Sequence, residues 1–470
     1  MRNRLAALTL VLLSALIPAL TPARAQVVEE SLPRDPGPLD FIRGDSYEQW
    51  ILQSLAGDAL VGIGPDGRLV PRLATAWKVQ KDGALAFSLR ADARFPDGSP
   101  VTPEDALWTL RELLRDAQAS PTKRAILQGA ETGIQDGRLW IRSPKPPGRL
   151  LLELAQVPVT QKGHADRGSG PFLYRKEPAA WVFTPREHFL KPRVDGIRFR
   201  LLPDAHSVLQ ALQKGWLTLG APPARLQADP PPTHRLLTQP MHAQLVAWSR
   251  TGTGPLLLLE RWRRDAFPPR LLGRNARPSR GLWPETLGFE ARAIDTQSLE
   301  AQSPKAGTAS QPPRAPATLK LLFVAGEESV EKLLLALRER ARRDGYDLQL
   351  IPLEQALLVA RLQKGDFDLA CSMVVFEPHP WAVFEYLEPK GPMNFTGWSH
   401  PRFAELAARA QQPGDAAWRG LQMIWAQNPA ALPLLDFQSV IWVDRRLTVE
   451  PGPLGLYLST PGAAGWRWAR

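Results

Sequence analysis

The chain has 470 residues, 47 of them proline and one cysteine, with 58 Lys+Arg against 47 Asp+Glu for a formal charge of +11. That length allows about three domains of ~150 residues or fewer large ones, and 44% hydrophobic residues exclude a disordered or collagenous chain in spite of the proline excess. A lone Cys371 excludes an intramolecular disulfide framework and any multi-cysteine zinc or iron–sulfur site.

The N-terminus reads as a cleavable export signal. Arg2 and Arg4 precede an apolar stretch from Leu5 to Leu20, and Ala23-Arg24-Ala25 forms an A-x-A cleavage site before Gln26. The stretch is broken by Pro18 and is short for a membrane span, and no later run reaches ~18 apolar residues. No cysteine follows it to carry a lipid. Loss of Arg2, Arg4 and Arg24 lowers the charge from +11 to +8, and an exported basic protein is not expected to meet nucleic acid.

Beyond the signal, Leu85, Phe87 and Leu89 alternate after the Asp82-Gly83 turn and predict a strand. Thr102-Pro103-Glu104-Asp105 opens a helix, with Thr102 as N-cap and Pro103 at the first helical position. The most informative feature is an echo. Ile197–Pro203 predicts a strand, followed by a helix from Asp204, then Leu212-Gln213-Lys214-Gly215 and the apolar Trp216 to Leu219. Leu348–Pro352 predicts another strand, again with a helix after it, then Leu362-Gln363-Lys364-Gly365 and Asp366 to Leu369. Each copy is a strand–helix–strand crossover with a glycine where a left-handed helix cap is wanted. Together with the strand Leu319–Val324 and a helix from Ser329, residues 318–371 predict β-α-β-α-β. Two distant copies suit two α/β lobes of like architecture, not a solenoid. Residues 295–317 lack periodicity and read as a flexible loop.

Catalytic patterns are missing. The seven histidines form no H-E-x-x-H arrangement, there is no Walker A sequence, and Gly168-Ser169-Gly170 lacks the spacing of a nucleophile elbow. Cys371 ends an apolar strand and is expected to be buried and inert. Arg261-Trp262-Arg263-Arg264 reads as the solvated basic end of a helix whose apolar start, Leu256 to Leu259, is buried. Neither an enzyme nor a bound cofactor is expected.

A long ordered run carries a family resemblance. It starts at Asp66-Gly67-Arg68-Leu69-Val70-Pro71-Arg72-Leu73-Ala74-Thr75-Ala76-Trp77 and continues through Asp82-Gly83 and Phe87-Ser88-Leu89-Arg90. It ends with Phe95-Pro96-Asp97-Gly98-Ser99-Pro100-Val101-Thr102-Pro103-Glu104-Asp105. With Gly168-Ser169-Gly170-Pro171-Phe172, Lys364-Gly365-Asp366-Phe367-Asp368 and Asn394-Phe395-Thr396-Gly397-Trp398-Ser399-His400-Pro401, the chain resembles the family 5 extracellular solute-binding proteins of ABC importers. The resemblance implies an α/β, two-lobed periplasmic-binding-protein fold, with hinged lobes around a ligand cleft and an inserted α+β subdomain. The expected division is a signal at 1–25, a first lobe from 26–45, 168–248 and 438–470, an insert at 46–167, and a second lobe at 249–437.

It also implies a function: a periplasmic receptor that captures a peptide or other small solute and delivers it to an inner-membrane permease, acting as a monomer. The alternative is a repurposed member acting as a partner-binding or sensory module, motivated by departures from the family pattern over 221–317. Where peptide-binding members carry an aspartate for the peptide amine, the position falls on Phe376, or on Glu377 if one residue is deleted. The usual Asn-bearing segment corresponds to Val246-Ala247-Trp248-Ser249-Arg250. The substrate-binding candidates are therefore Glu377, Phe376, Trp381, Trp398, Tyr47, Trp248, Ser249 and Arg250.

Overall fold

A computed structural model describes residues 26–469 except 65–67, 224–225, 227–228, 267–275, 283–316, 326–327, 376–379, 390–393, 411–414, 450–456 and 458–461. The expected signal lies outside these residues, as does the expected loop 295–317 apart from Ala317, which begins a strand.

The first α/β body is built on a four-stranded sheet in the order Val27–Leu32, Gly196–Leu201, Ala180–Pro185, Phe172–Glu177. Val28 and Leu32 alternate inward and pack with Phe199 and Phe183 under the helix Tyr47–Ala56, which contributes Ile51, Leu52 and Leu55. The Ser46 hydroxyl caps this helix by accepting from Gln49 N–H. The chain then leaves for an α+β unit and returns at Gly168-Ser169-Gly170. A Cβ on Gly168 or Gly170 would lie 2.4–2.6 Å from the Ala56–Gly57 backbone, so only glycine lets the returning strand cross the helix end.

The inserted unit has its own sheet, in the order Ala74–Val79, Leu85–Leu89, Arg138–Arg142, Glu131–Gln135, and its own core of Leu85, Phe87, Leu110, Leu113, Leu139 and Ile141. Its helix Pro103–Arg115 opens as its sequence predicts. Asp105 N–H donates to Thr102 Oγ1 at 3.4 Å, and Thr102 N–H donates to Asp105 Oδ2 at 2.9 Å. The seam with the first body is polar. Lys123, 2% exposed, donates to Phe41 O, Gly44 O and Gln53 Oε1. His188 Nδ1 accepts from Leu190 N–H, so Nε2 carries the hydrogen and donates to Ser169 O, with Asp58 Oδ2 3.5 Å away.

The second body uses a seven-stranded sheet. Its path runs Leu219–Gly220, Ala431–Asp444, His234–Ser249, Leu369–Val375, Ala317–Val324, Tyr346–Leu353, with Ala276–Pro278 beside Ala431–Asp444. One sheet face packs Leu256, Leu259, Trp262, Leu333 and Leu337; the other packs Trp381, Phe384, Trp418 and Trp425. Within His234–Ser249, Leu245 and Ala247 belong to the first of these cores and Val246 and Trp248 to the second, as strand alternation requires. Cys371 is 1% exposed, and burial raises its thiol far above the usual range. In the helix Gly254–Ala266, the apolar start is buried as expected, but two of the residues read as its solvated end are not. Trp262 is fully buried and donates to Asp344 Oδ2, while Arg263 is 12% exposed, paired with Glu260 and donating to Ser279 O and Leu434 O. A guanidinium can satisfy several carbonyls at once, which draws it under the sheet edge.

The echo is deeper than its sequence. In the second body the strand Ala317–Val324 lies between the two strands of the unit, parallel to both Tyr346–Leu353 and Leu369–Val375. In the first body Val27–Leu32 takes the same place. It pairs in parallel with Gly196–Leu201, and on its other edge Thr218 N–H donates to Glu29 O while Glu29 N–H donates to Thr218 Oγ1. Each unit then hands over to a long antiparallel strand: Leu219–Gly220 pairs with Ala431–Asp444, and Leu369–Val375 pairs with His234–Ser249.

Candidate functional site

Two long strands, His234–Ser249 and Ala431–Asp444, pair with each other and pass from one body to the other. Their outer ends belong to the first body, where Ile441 and Val443 pack with Val28 and Phe199. Their inner ends belong to the second, where Val246, Trp248 and Ala431 share one core and Leu432 and Leu434 the other. The expected lobe boundary between 248 and 249 falls at the end of this continuous strand. The ladder breaks in the middle: Pro240 pairs with Gln438 and Ala243 with Phe437, leaving Met241 and His242 opposite no residue. Proline supplies no ladder N–H, and a bulge of this kind bends a strand.

Strand directions locate the crevice. Leu369–Val375 runs antiparallel to His234–Ser249, so its carboxyl end, where Val375 pairs with Ala243, arrives at the break from the second body. Leu219–Gly220 runs antiparallel to Ala431–Asp444 and therefore heads toward the same break from the first body. The carboxyl ends of both parallel units face each other across the crossing strands, and this is where open α/β sheets bind ligands.

On the second lobe's side, Met373 is 46% exposed although its strand is central, because it lies at this end of the sheet. On the first lobe's side stands Tyr47, the first residue of its helix and 68% exposed. Burial, together with the carboxylates of Glu30 and Glu48, pushes its phenol up to about 12.

The other sequence candidates are dispersed. Trp248 is 1% exposed, stacked on Tyr386 with centroids 5.6 Å apart, and donates to Ser372 Oγ. Trp398 is equally internal, donating to Asn428 O and packed on Phe403 and Trp425. Trp381 is 2% exposed and meets Trp418 edge-on. Ser249 is buried and donates to Gly252 O. Arg250 is exposed, but its N–H donates to Asp368 O at the amino end of Leu369–Val375, far along the strand from the crevice. Phe376 and Glu377 lie outside the described residues, directly after the strand end that enters the crevice.

Sequence reasoning missed Glu30. It shares strand parity with buried Val28 and Leu32, and a charge in that register is the signal that could have found it. Among the described residues there is no group of three or more His, Cys, Asp or Glu side chains able to hold a metal ion, and no helix is long and apolar enough to cross a membrane.

Comparison with known proteins gives a consistent neighbourhood. Residues 68–232 match the model for bacterial extracellular solute-binding proteins, family 5 Middle. The nickel-binding periplasmic protein of Escherichia coli (strain K12) is 24% identical over 368 residues, covering 68% of this chain and 70% of that one. The periplasmic murein peptide-binding protein MppA of the same organism is 23% identical over 414 residues, covering 75% and 76%. The unliganded open form of MppA superposes with a TM-score of 0.77 at 18% identity over 95% of this chain and 98% of that one. NikA from Brucella suis in complex with Fe(III)-EDTA superposes at 0.76 and 18% identity over 94% and 99%. Sequence match, relatives and the two-lobed fold with its insert converge on one likeness: the chain is similar to the family 5 extracellular solute-binding proteins, in sequence over residues 68–232 and in fold over nearly its whole length.

Proposed function

We propose that the chain is the exported receptor of an ABC importer, closing its two lobes on a peptide or peptide-like solute and presenting it to the membrane permease. The observation that carries this reading is the crevice itself. Two parallel units point their carboxyl ends at one another across a pair of strands whose ladder breaks between Pro240 and Ala243. Such a joint lets rigid lobes swing, and a solute that touches both walls favours the closed arrangement by its differential affinity. In this reading the first lobe ends near residue 238, the second begins near 243, and the crossing strands are the hinge. The binding relatives, which include peptide and nickel receptors, support a solute role in the periplasm and binding without catalysis.

The test is thermal unfolding of the purified protein against a panel of di- and tripeptides and nickel chelates. A ligand at a hundredfold excess over its Kd adds about 2.7 kcal/mol of stability, seen as a raised midpoint. A flat response to the entire panel contradicts the receptor reading and favours a repurposed module.

A further inference from the structure

Cleavage after Ala23-Arg24-Ala25 makes Gln26 the first residue of the exported chain. The structure holds the backbone of this residue at three points. Its N–H donates to Asp195 Oδ2 at 2.7 Å. Its carbonyl accepts from Asp195 N–H at 3.2 Å and from Trp468 Nε1 at 2.9 Å. Val27 then opens the parallel strand in register with Gly196, the residue after Asp195. Trp468 comes from the other end of the chain, where Arg467–Trp468 pairs with Leu447–Thr448. The new chain end, the start of Gly196–Leu201 and the C-terminal ribbon therefore meet at Gln26.

Removing a leader at this bond turns an amide N–H into an ammonium group, so the contact with Asp195 becomes a charge-assisted hydrogen bond. Gln26 and Asp195 are both exposed, which makes the pair modest in energy and sensitive to salt. Its chemical consequence is specific to glutamine. An N-terminal glutamine cyclises when its neutral amine attacks Cδ of its own side-chain amide. The N–Cδ bond forms, the Cδ–Nε2 bond breaks, the amine nitrogen gives up a proton and Nε2 leaves as ammonia. A protonated amine has no lone pair for that attack. A free α-amine titrates at about 8, and a carboxylate in contact favours the charged form, so less of the attacking species is present.

We propose that leader removal leaves Gln26 as the mature N-terminus and that Asp195 holds the new ammonium group, guarding it against cyclisation to pyroglutamate. This inference rests on the export that the receptor reading requires and is independent of the solute.

The test uses the full chain expressed with its own leader and purified from the periplasm, as wild type and as Asp195→Asn. That substitution keeps the side chain's size and leaves the backbone bond from residue 195 to Gln26 O in place, at an exposed position. Mass spectrometry of the N-terminal peptide reads its first residue and, at about pH 8, the loss of one ammonia with time. The peptide should start at Gln26. Asp195→Asn should cyclise about two- to fivefold faster than wild type, the range open to an exposed ion pair, and high salt should close the gap. Equal rates overturn the guard, as does a faster rate that salt leaves unchanged, which marks a loosened strand. A first residue other than Gln26 overturns the docking and leaves the receptor reading standing. A chain that keeps its leader inside the cell overturns both.

Discussion

Gly215 and Gly365 hold the same left-handed conformation, with φ of 68° and 67°, at the same point of the two lobes. Each ends the crossover helix of its unit, Ala205–Gln213 or Gln355–Lys364, and turns the chain into the strand that approaches the crossing pair. The shared local rule, a left-handed cap where a helix must stop, is what makes the internal echo visible in both sequence and structure.

Alanine at either position should destabilise the protein, because a Cβ disfavours positive φ by about 1–2 kcal/mol. A Cβ at residue 215 meets nothing within 4 Å, whereas at residue 365 it would lie 2.4 Å from the Arg250 guanidinium. Urea midpoints should therefore fall for both variants, and further for Gly365→Ala, which must also displace Arg250 from Phe395 O. An unchanged midpoint for both would contradict the capping role.

Lys123 should give the protein a stability profile at alkaline pH. Burial lowers its ammonium from 10.5 to about 8, partly offset by Asp45 and Asp40. Above pH 10.5 the lysine is neutral in both states, and its burial carries no charge penalty. As pH falls from 10.5 to 8 the unfolded chain binds the proton first, so stability is lost across that window, by about 3 kcal/mol in total. Chemical denaturation between pH 8 and 10.5 should show stability rising with pH, and Lys123→Met should flatten that rise relative to wild type.

Arg149 joins the insert to the second lobe. Its guanidinium lies 2.7 Å from Glu153 Oε1 and 3.4 Å from Glu388 Oε1 across the seam, where Leu152 packs against the second lobe's core. Glu388 is 44% exposed, and Glu388→Gln should cost under about 1 kcal/mol. Arg149→Ala should cost more, about 1–3 kcal/mol, because Glu153 is 4% exposed and keeps only Lys145. Equal midpoints for the two variants would show that the buried half of this network contributes nothing.

What could be read from the sequence was local. Thr102, Asp204 and Gly365 announce helix ends through chemistry contained within a few residues, and all three stand at helix ends as read. The crossing strands were not legible. Pro240 argues against a strand, and it is tolerated within the 16-residue His234–Ser249 because it sits where the ladder lapses. Nor could sequence tell which end of a strand faces the crevice. Trp248, Ser249 and Arg250 fall at the far end of the second sheet because His234–Ser249 runs away from the crossing, a fact set by topology. Tryptophans at 381 and 398 are as suited to a core as to a cleft, and the wide space beside the second sheet is filled by them.

The most direct test of hinged capture is small-angle X-ray scattering of the purified protein, with and without the solute that gives the largest thermal shift. Swinging of the lobes about the break at Pro240–Ala243 predicts a smaller radius of gyration on saturation. A solute that binds while the scattering profile stays unchanged would contradict closure of the two lobes around it.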